Sequence, residues 1–124
     1  NNHQPAPVEL TAPPPAPTDH QVASLKLARQ LADSGQLDQA AAICHAYLAR
    51  HSDSAEAYYL IGLVKDAAND PEAIIYYRKA LYLDPNHYET LVHAALCLEK
   101  NGDVAAAQTF KRRAERAHRA FAES

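Results

Sequence analysis

An all-α fold of three stacked helix-turn-helix repeats is predicted by three observations. From about Gln21 onward, apolar residues recur with helical rather than strand spacing. The chain is rich in Ala and carries only 3 Gly, a composition that suits short, closely packed helices. Small residues also repeat at one fixed period. Ala40, Ala73 and Ala107 are spaced by 33 and 34 residues, Ala80 and Ala114 by 34, and Gly35 and Gly102 by 67. A unit of that length holds two helices and cannot bury its apolar face alone, so successive units must stack.

The N-terminal segment 1–20 lies outside this pattern. Six of the 8 prolines fall between Pro5 and Pro17, in a stretch with no Lys or Arg. Proline blocks helix interiors and favours extended polyproline geometry, so 1–20 reads as a semi-rigid linker. The repeat domain is 21–124, with units at about 21–54, 55–87 and 88–121.

Each unit is expected to hold two helices. In the second unit, Asp53-Ser54-Ala55-Glu56 has the form of a capping box opening a helix that runs to about Ala68. Asn69-Asp70-Pro71-Glu72 makes a turn, with Asp70 as the expected N-cap and Pro71 at the first helical position. The second helix should end at Leu83, before Asp84-Pro85-Asn86. Gly35 and Gly102 mark the inner turns of the outer units, whereas Gly62 is a helix contact.

These residues carry a resemblance. Tyr58, Ile61-Gly62, Ala73, Tyr77, Ala80 and Asp84-Pro85 resemble the tetratricopeptide repeat signature. The outer units match less closely, with Ser24 and Leu27-Ala28 in the first and Leu91, Ala94-Ala95, Gly102, Ala107 and Ala114 in the third. The resemblance covers about 100 residues and implies a short right-handed superhelical solenoid with a concave binding face.

Several function classes are disfavoured. A net charge of −3 is too weak to suggest a general nucleic-acid binder. No apolar run is long enough to span a bilayer, and none follows a basic start, so a cytoplasmic location without direct membrane insertion is expected. With its glycines used in turns and a helix contact, the segment has none left for a phosphate-cradling loop, so no cofactor is expected. His93 and Cys97 lie four apart on one helix, but no second pair accompanies them, and no metal site is expected. Cys44 and Cys97 read as buried small apolar residues. No nucleophile-base arrangement is legible, and no catalytic residue is assigned. The chain has no Met and opens Asn1-Asn2-His3, which suggests a piece of a longer protein.

What remains is a surface for a protein or peptide partner. The first helix of each unit is expected to line the concave face. Core positions there are Leu27, Leu31, Tyr58, Ile61, Leu91 and Leu98. The groove-facing candidates are Lys26, Arg29, Tyr59, Leu60, Leu63, Asp66, Val92, His93, Leu96, Glu99 and Lys100, of which Leu60 and Leu96 also suit a core between repeats. Exposed Tyr and Leu clusters are interface material. The last helix adds a secondary basic surface, Arg112, Arg113, Arg116 and Arg119. Such cations complement a helix C-terminus and solvate a solenoid end, or else face an acidic partner. Chaperone-binding members of the repeat family clamp a C-terminal carboxylate with Lys, Asn and Arg. The matching places here are Leu25, Arg29, Leu60, Glu89 and His93, which argues against such a clamp.

A narrower resemblance rests on Arg78-Lys79-Ala80-Leu81-Tyr82-Leu83-Asp84-Pro85-Asn86-His87-Tyr88-Glu89, together with Leu96 to Glu99, Gly102-Asp103 and Lys111-Arg112-Arg113-Ala114. These residues resemble the C-terminal repeat region of CheR-type chemoreceptor methyltransferases, most closely the WspC-like branch. That resemblance implies a parent enzyme using S-adenosyl-methionine to methylate receptor glutamates, with this segment positioning it on a chemoreceptor or other signalling partner. The alternative is a free-standing repeat scaffold for envelope or secretion-complex assembly, with no enzyme attached. Oligomerisation through the Tyr-rich face is a third reading.

Overall fold

The computed structural model describes residues 18–123, apart from the Val22 side chain. The proline-rich stretch 1–17 therefore lies outside the described residues. Six helices follow one another: α1 Asp19–Asp33, α2 Leu37–Arg50, α3 Ala55–Ala67, α4 Ala73–Leu83, α5 Tyr88–Lys100 and α6 Val104–Glu123. They pack as consecutive antiparallel pairs, with α3 touching α1, α2, α4 and α5. No strand occurs among the described residues. Nor is any described helix long and apolar enough to cross a membrane.

The helix ends have local causes. Asp19 and His20, assigned to the linker from sequence, form the first turn of α1. Thr18 caps that turn in a reciprocal box, accepting from the Gln21 amide while the Gln21 side chain accepts from the Thr18 amide. At α3 the cap is Ser54, which accepts from the Ala57 amide at 3.1 Å. The expected Asp53/Glu56 box is absent there, because Glu56 reaches across to other repeats. Helix α4 starts at Ala73, two residues later than expected. Asp70 still organises its entry, taking the Glu72 amide on its carboxylate at 2.9 Å and the Ala73 amide on its carbonyl at 3.1 Å.

The three inner turns share one geometry. Amides of Gln36, Asp70 and Asp103 bond back to the carbonyls of Leu31, Lys65 and Leu98, and those of Gly35, Asn69 and Gly102 to Ala32, Asp66 and Glu99. This is the paired closure of a Schellman motif, which needs a left-handed residue after the helix. Gly35 and Gly102 supply it, with φ of +83° and +87°. The middle unit has no glycine there, and Asn69 adopts φ 58° instead, as Asn tolerates best among non-glycine residues.

The core runs along the stack through Ala28, Cys44, Tyr59, Leu60, Ile61, Tyr77, Leu91, Ala94 and Phe110. At Gly62, α3 packs directly against the Tyr77 ring of α4. A Cβ there would sit 2.5 Å from the Tyr77 ring. Three residues expected in the core are not fully buried: Leu27 is exposed, and Leu31 and Tyr58 are half-buried. Tyr59 rather than Tyr58 is the fully buried partner of Tyr77, with ring centroids 6.3 Å apart. Tyr58 lies instead beneath the Lys79 ammonium.

Candidate functional site

The first helices α1, α3 and α5 lie side by side and form the inner face. On α3 a stripe at helical spacing presents Glu56, Tyr59, Leu63 and Asp66. Thirty-three residues on, α5 repeats it as Glu89, Val92, Leu96 and Glu99. Each stripe is two apolar or aromatic positions framed by two acids.

Arg29 of α1 closes one end of both stripes. Its guanidinium donates to Glu56 at 2.6 Å and to both carboxylate oxygens of Glu89 at 2.9 and 3.0 Å. It also lies 5.6 Å from the Tyr59 ring centroid. One side chain thus ties all three repeats together. His87 completes the cluster. Its Nδ1 faces the Thr90 amide and hydroxyl, so it acts as acceptor and caps α5, which leaves Nε2–H to donate to Glu56 at 3.2 Å. Hydrogen bonds from Arg29 hold the Glu89 carboxyl below its usual range. For Glu56, burial pushes the other way, and the hydrogen bonds from His87 and Arg29 outweigh it. Glu56, His87 and Glu89 hold their donor atoms within 4.8 Å of one another, a spacing suited to a cation. The guanidinium of Arg29 already provides that positive charge.

At the other end, Asp66 accepts from Lys100 at 2.8 Å and from the Tyr77 hydroxyl at 3.1 Å. Burial, reinforced by Asp66, pushes the Tyr77 phenol up, so it stays a neutral donor. Glu99 pairs with Lys111 of α6 at 2.6 Å. The acids of both stripes are therefore neutralised within the domain. Between them, Leu63, Val92 and His93 are half-buried and Leu96 is 52% exposed.

Two groove candidates are corrected by this geometry. Tyr59 and Leu60 are 1% and 0% exposed and belong to the core. Tyr59 is roofed by Arg29 and flanked by His87 and His93 at 5.2 and 5.7 Å. Leu60 is one of the positions whose spacing also suited a core role, and it belongs to the buried cluster that runs along the stack. Arg29, Asp66, Glu99 and Lys100 are each held in an ion pair, Leu63, Val92, His93 and Leu96 form the apolar strip, and Lys26 is exposed on α1. Glu56 and His87 are members of the cluster that the sequence reading did not single out. The signal for Glu56 was the 33-residue offset that places it and Glu89 at one repeat position, whereas His87 left none. Cys97 is buried, with the Asn101 amide 3.8 Å from its sulfur. On α6, Arg112, Arg116 and Arg119 are exposed, while Arg113 is half-buried and donates to the Pro85 carbonyl.

A tetratricopeptide repeat family model matches residues 22–54 and 56–87, and a second one matches 76–109. The chain belongs to the tetratricopeptide repeat family. It is a protein-interaction module on a non-catalytic fold. Among curated proteins it is similar to "Probable biofilm formation methyltransferase WspC" of Pseudomonas putida, 45% identical over 103 residues, covering 81% of this chain and 24% of that protein. The protein of the same name from Pseudomonas aeruginosa is 46% identical over 88 residues, covering 70% of this chain and 21% of that protein. The chain thus spans about a quarter or less of the length of these relatives. Among solved structures, MamA from Desulfovibrio magneticus superposes with a TM-score of 0.72 at 26% identity, covering 82% of this chain and 58% of that one. The Yersinia enterocolitica type III secretion chaperone SycD, in complex with a peptide of the translocator YopD, gives 0.73 at 22% identity, covering 82% and 78%. The SycD likeness concerns the fold alone.

Proposed function

We propose that these repeats are the docking module of an S-adenosyl-methionine-dependent methyltransferase acting on receptor glutamates in the cytoplasm. In this reading they hold the enzyme on its chemoreceptor or on another signalling protein. The observation that carries it is the similarity of 45% over most of this chain to a methyltransferase. The cofactor and the transfer chemistry would belong to the remainder of that protein. The repeats contribute the inner strip of Leu63, Val92 and Leu96. A partner segment with apolar side chains gains by covering exposed Leu96, while the paired acids around the strip set its orientation.

The test is receptor methylation by the full-length protein with radiolabelled S-adenosyl-methionine. Leu96→Asp is the variant of choice, because Leu96 is exposed and its replacement leaves the core intact. Methylation of the docked receptor should fall about tenfold, the effect of losing one central apolar anchor, with cofactor binding unchanged. Equal methylation by both proteins sinks the inner-face assignment. Absence of any cofactor-binding domain in the full-length protein would instead favour the free-standing scaffold.

A further inference from the structure

The outer face between α4 and α6 carries groups that the inner face leaves unused. Tyr82 is 82% exposed on α4. With Arg78, Phe110 and Arg113 it lines a hollow of about 240 Å³. Both guanidinium groups lie over the Phe110 ring, at 5.4 Å for Arg78 and 5.2 Å for Arg113. Arg113 is further fixed by donating to the Pro85 carbonyl at 3.1 Å. That places it at the edge of a second hollow of about 560 Å³, lined also by Pro85, Arg116, Ala117 and Phe121. Arg113 lines both, so the two hollows adjoin along the α4–α6 groove.

The shape of α6 explains the far end. Ala107, Phe110, Ala114, Ala117 and Phe121 form one face of the helix. The first three are buried, Ala117 is half-buried and Phe121 is 82% exposed. The core-facing stripe therefore becomes more exposed towards the C-terminal end of α6.

Charge decides what fits. Helix α6 carries five cations against two carboxylates, a net of +3, whereas the whole chain is −3, so the remainder is −6. Seven ion pairs occur among the described residues, and none uses an arginine of α4 or α6. Of the eight Lys and Arg with no ion pair among the described residues, six lie on α4 and α6, and an extended anionic ligand is repelled by the rest of the domain.

We propose that the α4–α6 groove is a second docking surface, for an acidic peptide segment carrying an aromatic or branched aliphatic side chain. Arg78, Arg113 and Arg116 would pair with its carboxylates, where guanidinium geometry favours two-pronged contacts. Tyr82 would cover its apolar anchor. The surface is independent of the inner face, so one repeat domain could hold two partners at once.

The test is an amide NMR titration of the 124-residue chain with a short synthetic peptide alternating Glu-Glu with Leu-Phe pairs. The same peptide with Lys for Glu serves as control. Shifts centred on Arg78, Tyr82, Arg113 and Arg116, weakening with added salt, are expected. Arg116→Glu, at an exposed site, should weaken binding about tenfold, and Tyr82→Ala, which disturbs no packing, should also weaken it. Shifts confined to Leu63 and Leu96, equal binding of the Lys peptide, or indifference to both variants would overturn the proposal. Concentration-dependent mass in the free chain would overturn it by making a second copy the occupant. So would capture by phosphatidylserine vesicles without peptide binding, or a groove already filled by 1–17 and opened to the peptide only by their removal.

Discussion

Replacing Arg29 by Met asks whether the three repeats are clasped electrostatically. Met keeps an apolar stem near Tyr59 but removes a guanidinium that makes three hydrogen bonds to two carboxylates. The side chains of Arg29, Glu56 and Glu89 are 34%, 33% and 47% exposed, so these pairs are partly screened by water. At that exposure each pair contributes about 0.5 kcal/mol. Their loss also leaves Glu56 and Glu89 with oxygens inside 4.8 Å and no cation between them. Repulsion at this separation, relieved by the carboxylates swinging into water, adds about 0.5–1 kcal/mol. The expected loss is about 1.5–2 kcal/mol at pH 7, or about 6–12 °C in Tm for a domain of this size. Both carboxyls titrate below their ordinary values in the fold, so they contribute stability above their unfolded pKa and lose it as pH falls through the folded values. The variant lacks the part of that contribution that Arg29 supplies. Urea unfolding followed by circular dichroism should therefore show the gap between the two proteins widest at pH 7 and nearly closed near pH 3. Adding Glu89→Gln to Arg29→Met should recover part of the loss. A gap below about 0.5 kcal/mol at pH 7, or one of equal size at both pH values, would refute the reasoning.

Other consequences are simpler to check. Gly62→Ala puts a methyl into the Tyr77 ring, which is fully buried and cannot swing away. The clash costs about 1–3 kcal/mol and exceeds the ~1 kcal/mol gained in helix propensity, so urea midpoints should fall. Gly102→Ala strains a turn at φ +87° and should cost about 1 kcal/mol by the same measurement, whereas Asn69→Gly should change stability by less than about 0.5 kcal/mol. Burial pushes the Cys44 thiol up to about 12, so an aromatic disulfide reagent at pH 8 should label it only after urea is added.

The period of small residues was enough to establish six helices in three pairs, and the reason is physical. Ala40, Ala73, Ala80, Ala107 and Ala114 recur because helices cross closely at those points, and all five are buried. Gly35 and Gly102 announced the left-handed turns, although the equivalent role of Asn69 did not show, since Asn also suits a surface turn. Local cap chemistry was less readable. Glu56 looked like a capping-box residue because a box needs only four residues of sequence, whereas Arg29 and His87 compete for it from 27 and 31 residues away.

The sequence by itself determined the repeat, its length, the pairing of its helices and the family, because these follow from periodicity and from side-chain volume at contact points. Tertiary structure alone decided which side of each first helix is open. Tyr58 and Tyr59 are adjacent and identical in chemistry, yet only Tyr59 is sealed in, since the neighbouring repeats bring Arg29, His87 and His93 over it. The same stacking turned a row of acids into neutral pairs on the inner face and left the arginines of α4 and α6 without an ion pair among the described residues. Neither outcome can be read from spacing within one helix, because the partner of every such charge comes from a different element.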